Sequence, residues 1–528
     1  MPRLTIDQRE VEVPPGSTVL DAARKLGIDV PTLCHLDGYA PSTSCLVCMV
    51  KILGNDRLAP SCGTVAVEGM QIESETEEVH RVRRSALELL LSDHLGDCMA
   101  PCTLACPARM DIPKMLRQIA AGDYAGAIRT VKRDIALPAV LGRICPAPCE
   151  KVCRRRGADA AVAVCRLKQF VADADLASAE PYLPDCKPAG GKRVALVGAG
   201  PAGLAAAYHL AQAGHHCTIF DENERPGGRL LSETAEDQLP RDVLAAEIQT
   251  ILALGIELRS NTRVGDNPAL ADLQREFDAV VIAAGAAAAR QADSWGLKAG
   301  SRGIEIDKET YQAGIEGVFA AGCAVRGKAM VIRSVADGKE AAAAVDQYLC
   351  DRAVTGLPRP FNVKIGRLEP DELAQFVALS AQAPREDAPG GFATDEARRQ
   401  AARCLHCDCR KLETCKLRKY ATQYGAEPNL YRTQRRKLLL DARHAEVIYE
   451  PGKCIDCGLC IQIAEAAGEP LGLTFVGRGF DVRVGVPLDG SLADALTKVA
   501  AECVEACPTA ALSGIIRKPS GAGFQPAK

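Results

Sequence analysis

RVALVGAGPAGLAAAYHL, residues 193–210, reads as a strand, a glycine-rich turn and a helix. Gly198, Gly200 and Gly203 form GxGxxG directly after the apolar run RVALV, and the next strand, HCTIF, runs into Asp221. Glycines at those positions let backbone approach a pyrophosphate, the helix N-terminus faces the phosphates, and the acid can accept ribose hydroxyls. A dinucleotide-binding α/β domain is therefore expected over 190–352, with Pro201 and Ala202 completing the turn. The motif alone does not separate flavin from nicotinamide.

Outward from that stretch, 528 residues with 47% hydrophobic content can bury several cores, so three or more domains are expected. The formal net charge of −3 gives no global reason to expect nucleic acid. The N-terminus, MPRLTIDQREVEV, begins as an alternating strand without a signal peptide, and no apolar run approaches the roughly 20 residues that span a bilayer. A cytoplasmic protein with no membrane span is expected. Its 24 cysteines fall mostly in tight groups, which in a reducing compartment points to metal rather than disulfides.

The first group is Cys34, Cys45, Cys48 and Cys62. A CxxC loop with one cysteine before it and one after is the general arrangement of a 2Fe-2S ferredoxin. Ahead of it, LTIDQREVEV suggests a hairpin, and STVLDAARKLGI an amphipathic helix capped by Ser17 or Thr18. VPTLCHLDGYAPSTSCLVCMVKI, LAPSCGTVAVEGMQI and SALELLLSDHLGDC together resemble the start of the large iron-sulfur subunit of respiratory complex I, over roughly the first hundred residues.

The second group departs from that family. Its histidine leads into a CxxC pair, whereas here DHLGDCMAPCTLACP spaces His94, Cys98, Cys102 and Cys106 four apart, a helical spacing. Downstream, ICPAPCEKVC holds Cys145, Cys149 and Cys153, and AVCRLKQF holds Cys165. The two runs resemble the N-terminal iron-sulfur domain of the glutamate synthase small subunit and of dihydropyrimidine dehydrogenase. That resemblance implies two 4Fe-4S clusters with ligands crossing between the runs. One would take His94, Cys98, Cys102 and Cys153, the other Cys106, Cys145, Cys149 and Cys165. His94 could instead cap its helix, and Cys165 could be a small core residue. Arg154, Arg155 and Arg156 directly after Cys153 are either solvated surface or positive charge that favours cluster reduction.

DENERPGGRL, with Gly227 and Gly228, and the distant IEGVFAAGC, with Gly322 and Cys323, resemble the flavin-holding segments of the glutamate synthase type of flavoprotein. That resemblance implies FAD. Cys323 stands where that family has an aspartate, which removes one contact expected for the ribityl chain. The family also inserts a second nucleotide-binding domain between the strands reading FDAVVIAAGA and GVFAAG. Here only residues 286–316 lie between Gly285 and Gly317, too few for a complete nucleotide-binding half when one βαβ unit alone takes roughly 30 residues.

After the polar stretch SAQAPREDAPGGFATDE, RCLHCDCRKLETC carries Cys404, Cys407, Cys409 and Cys415, which suit either a 4Fe-4S cluster or a four-thiolate zinc site. Finally KCIDCGLC and ECVEACP form a half-depleted ferredoxin pattern. Cys454, Cys457 and Cys460 are completed by Cys507; where two-cluster ferredoxins place a fourth cysteine, with three residues between it and the third, this chain has Ala464, so one 4Fe-4S cluster is expected here rather than two. This segment resembles ferredoxin-like modules of complex I and iron hydrogenases.

The expected fold is multidomain α/β and α+β. It comprises a ferredoxin-like 2Fe-2S domain (1–78), a helical domain with two 4Fe-4S clusters (79–183), a Rossmann-type FAD domain lacking the nicotinamide-binding insertion (190–352), a linker (353–394), a Cys-rich segment (395–440), a ferredoxin-type 4Fe-4S module (441–516) and a disordered tail (517–528). The expected function is electron transfer between FAD, one 2Fe-2S and up to four 4Fe-4S clusters, as one subunit of a multisubunit NAD(P)H dehydrogenase, hydrogenase or formate dehydrogenase. No catalytic residue is expected beyond the cofactors. Partners would be NAD(P)H-, hydrogen- or formate-oxidising subunits and ferredoxin. The alternatives are an NADPH-dependent glutamate synthase small subunit and a flavin-less scaffold.

Overall fold

In the computed structural model, residues 1–54, 57–265, 267–431 and 434–515 are described, and the expected tail lies outside them. They divide into two units: Met1–Met99 with Pro360–Phe376 and the residues from His406 onward, and Ala100–Arg359 with Val377–Leu405.

In the first unit, alternation in RLTI and REVE makes the expected hairpin, Arg3–Ile6 against Arg9–Glu12. Asp7 and Gln8 turn it at φ of 46° and 65°, the left-handed pair a two-residue hairpin requires. The sheet continues through Gln71–Glu73, parallel to the first strand, to Met49–Ile52 and Arg57–Pro60. The helix Val19–Lys25 starts at Thr18. Its hydroxyl accepts from Asp21 N at 3.2 Å while the Asp21 carboxylate accepts from Thr18 N at 2.8 Å, a reciprocal cap. A second helix, Glu77–Ser92, lays Val79, Ala86, Leu87 and Leu91 inward, with Leu87 and Leu91 sharing a core with Leu417, Tyr420 and Tyr424. Further on, Val447–Tyr449 pairs antiparallel with Leu512–Gly514, and the helices Leu459–Ala466 and Ala500–Ala506 pack below them.

The second unit holds a five-stranded parallel sheet in the order Val318–Ala320, Ala279–Ile282, Arg193–Val197, His216–Phe220, Glu257–Arg259. The helix Pro201–Gln212 lies against Val331–Leu349. Gly338 permits that approach, because a Cβ there would sit 2.2 Å from Ala202 O. Helices Ile112–Ala121, Tyr124–Lys132, Pro138–Ile144 and Val164–Leu176 share this core. A buried carboxylate joins the halves: Glu247 accepts from Ala139 N at 2.6 Å and Val140 N at 2.8 Å, the unsatisfied donors at a helix start.

By packing, residues 79–99 go with the N-terminal sheet, and the helical and Rossmann-type parts share one unit. The expected linker is ordered. In the first unit Cys98 N donates to Val363 O and Ile365 N to the Asp97 carboxylate, while buried Glu372 takes both Arg435 nitrogens, at 2.9 and 2.6 Å. In the second unit Arg385 pairs with Glu150 at 3.0 Å and donates to Ala161 O at 3.1 Å. Polar composition suggested solvent there. These groups bond to protein instead.

Candidate functional site

The glycine-rich turn borders a cavity of about 1020 Å³ lined by Gly198, Gly200, Pro201, Ala202, Asp221, Gly228 and Cys323. Each glycine is required by a different neighbour. A Cβ on Gly198 would lie 2.7 Å from Ala283 O, and one on Gly203 would collide with Gly198 O, which sets the helix tight on the turn. On Gly200 a Cβ would meet nothing within 4 Å. That space lies at the start of the helix Pro201–Gln212, whose free N–H groups suit phosphate. The residues present therefore fit a dinucleotide.

Gly203, Gly227 and Gly322 do not line the cavity but shape it. Gly227 N donates to Ala199 O at 2.9 Å, and a Cβ on Gly322 would lie 2.6 Å from Ala202 Cβ. Asp221 does more than was expected. One carboxylate oxygen accepts from Ala199 N at 2.6 Å and the other from Asn223 N at 2.9 Å, so it braces the glycine turn while facing the cavity. Cys323 also faces the cavity, with Arg229 Nη1 3.7 Å and Ser334 Oγ 3.9 Å from its sulfur. Arg225, Arg229, Arg263 and Lys328 line the same space and were not anticipated. RPGGRL contained the signal, two arginines flanking the Gly227–Gly228 turn.

In the same unit, the C-cap of Pro101–Ala105 carries Cys106, the end of Pro138–Ile144 carries Cys145, and Pro148–Lys151 and Val164–Leu176 carry Cys149 and Cys165. Cys165 interacts electrostatically with both Cys145 and Cys149, and Cys106 with Cys145. The structure thus brings together the quartet expected from sequence. Cys102, Cys153 and Cys404 pack around the same core.

In the first unit, Cys34, Cys45, Cys48 and Cys62 are buried together, with Cys48 and Cys62 sulfurs 3.4 Å apart. The thiols are strongly coupled: Cys45 and Cys62 hold Cys34 below its ordinary range while Cys34 pushes both of them up. Cys454, Cys457, Cys460 and Cys507 also converge. Burial pushes Cys457 up to about 12, with the charges of Cys507, Cys460 and Cys34 adding to it. The two sites are neighbours, since Ser42 Oγ donates to Cys457 O at 2.7 Å. Cys503 is fully buried in the apolar core beside them.

The remaining thiols divide differently from expectation. Cys98 and Cys409 are joined by a 3.0 Å hydrogen bond from Cys409 N to Cys98 O, and Cys415 interacts with both. Buried Lys453 interacts with His94, Cys98 and Cys409 alike. Burial and that lysine pull His94 down to about 4, so its imidazole is neutral, and its Nδ1 is buried without a partner. A neutral imidazole is the ligating form. The boundary between units falls after Leu405, inside RCLHCDCRKLETC, which leaves Cys404 in one unit and Cys409 and Cys415 in the other.

Three families match in succession: the 2Fe-2S iron-sulfur cluster binding domain over 2–77, the dihydropyrimidine dehydrogenase domain II with 4Fe-4S cluster over 78–180, and the pyridine nucleotide-disulphide oxidoreductase over 157–343. The chain joins iron-sulfur modules to an oxidoreductase module. Among similar proteins are the NADP(+)-dependent formate dehydrogenase subunit beta of Moorella thermoacetica, 40% identical over 42% of this chain and 32% of that protein, and the NADPH-Fe(3+) oxidoreductase subunit beta of Geobacter sulfurreducens, 36% identical over 40% and 33%. The NAD-dependent dihydropyrimidine dehydrogenase subunit PreT of Salmonella typhimurium is 38% identical over 35% and 45%. The chain thus spans about a third to just under a half of the length of these relatives. Among the described residues no helix is long and apolar enough to cross a membrane.

Proposed function

We propose that this protein is an electron-transfer subunit that exchanges paired electrons at FAD for single electrons at iron-sulfur sites, with the substrate-oxidising site on a partner chain. The observation that carries this reading is the presence, in one unit, of a dinucleotide-sized cavity on a glycine turn and a four-thiol site on the adjoining helices. Bound there, the flavin supplies two-electron chemistry and each cluster one-electron chemistry. Gly198, Gly200 and the helix start would take the pyrophosphate, and Arg225, Arg229 and Lys328 would balance its charge. Between Ala279–Ile282 and Val318–Ala320 the chain makes only two short helical turns and a two-stranded ribbon. A nicotinamide donor would then reduce a partner, in keeping with the formate- and NADPH-linked names of the relatives.

The thiols that lie near one another suggest the ligand sets. Cys34, Cys45, Cys48 and Cys62 would hold the 2Fe-2S cluster. His94, Cys98, Cys409 and Cys415 would hold one 4Fe-4S cluster, Cys106, Cys145, Cys149 and Cys165 a second, and Cys454, Cys457, Cys460 and Cys507 a third. Cys102, Cys153 and Cys404 are further thiols of the second unit from which a fourth could draw. Anaerobic purification tests the whole: about 18 iron atoms and one acid-releasable fluorescent flavin per chain are expected, from one two-iron and four four-iron clusters. Iron without flavin would establish the scaffold reading instead, and stoichiometric zinc would remove one four-iron site.

A further inference from the structure

Lys168 lies one turn beyond Cys165 on the helix Val164–Leu176, on the same face, and is 3% exposed. A lysine so buried ordinarily has a carboxylate partner. Among the described residues Lys168 has no ion pair; the groups its charge meets are Cys165, Cys145, Cys149 and Cys106, all four members of the quartet. The nearby carboxylate, Glu150, is already engaged: one oxygen accepts from Cys165 N at 2.9 Å and the other pairs with Arg385 at 3.0 Å. The other thiol site with a buried lysine is built differently, because Lys453 donates to Glu450 at 2.7 Å and its charge is cancelled locally.

We infer that Lys168 is a positioning charge that raises the reduction potential of the Cys106, Cys145, Cys149 and Cys165 site, making it an electron sink of the flavin-bearing unit. This rests on the proposed ligation of that site. Uptake of one electron from a reductant adds one negative charge to an already anionic four-thiolate group, and no bond need break. A fixed positive charge in a buried, low-dielectric setting favours the more negative state. Lys168 is permanently buried beside the quartet, so the bias does not depend on solvent screening.

The test is a potentiometric titration of the full chain followed by low-temperature EPR, with iron determined on each sample. Cys145→Ser first identifies the signal of this site; if no cluster signal changes, the ligation reading fails, independently of the lysine. Lys168→Met and Lys168→Gln should keep their iron and make the identified site at least tenfold harder to reduce, a shift of about 59 mV to more negative potential for one electron. Lys168→Arg should stay near wild type. Unchanged potentials in the Met and Gln variants with iron retained would overturn the inference. Loss of iron from both would also overturn it, by showing that the lysine serves assembly rather than potential.

Discussion

The two units gather their thiols in opposite ways. In the second, Cys106, Cys145, Cys149 and Cys165 come from helices that follow one another within sixty residues, and sequence order and spatial order agree. In the first, Cys98 meets Cys409 and Cys415 because nearly everything between residues 100 and 405 folds as a separate unit. Such an insertion leaves a site intact while separating its ligand motif along the chain. Proximity in sequence is therefore a sound guide to shared ligation only where no unit intervenes.

The largest effect that could break this comparison is loss of a cluster. Cys98→Ser and Cys409→Ser should each remove the same EPR signal and about four irons, and the double variant should remove no more. Two different signals would separate the residues into two sites. Within the C-terminal group, Cys507→Ser should likewise abolish one cluster, whereas Cys503→Ser, in an apolar core position, should retain its iron.

A smaller effect sharpens the contrast between the buried lysines. Glu450→Gln keeps the hydrogen bond to Lys453 but removes the cancelling charge. The site of His94, Cys98, Cys409 and Cys415 should then become easier to reduce, opposite in sign to the Lys168 variants, by severalfold in the reduction equilibrium. An unchanged potential would show that Lys453 lies too far from the iron to matter.

The smallest concerns the joint at Glu247. Burial, opposed by the Val140 and Ala139 N–H groups, raises this carboxyl to about 7. Because the folded value lies above the unfolded one, the stability it contributes is complete below about pH 4.5 and is lost as pH rises through 7. Glu247→Gln cannot ionise, so from pH 5 to pH 8 its melting temperature should gain on wild type by an amount corresponding to about 1–2 kcal/mol. Parallel melting curves at both pH values would contradict this.

Much of the molecule was legible because its signals are local. The strand, glycine turn and helix at 193–210 follow from GxGxxG, and the hairpin from its alternation. What escaped was non-local. The order in 353–394 depends on partners such as Asp97, Arg435 and Glu150, which no composition reveals. The bracing role of Asp221 depends on how Ala199 is turned toward it. Lys168 was visible in CRLKQF, but only packing shows that four thiols and no carboxylate face its charge.

The central claim is that the flavin communicates with the clusters of its own chain and depends on a partner for hydride. Stacking a nicotinamide ring against flavin needs a surface that orients it, and such orientation lowers barriers by several kcal/mol. In anaerobic stopped-flow absorbance, the isolated chain mixed with NADPH or NADH should keep its flavin oxidised on the timescale of turnover. Dithionite or reduced ferredoxin should bleach flavin and clusters together. Rapid flavin bleaching by NADPH without any partner would contradict the account and favour a self-sufficient enzyme of the glutamate synthase type.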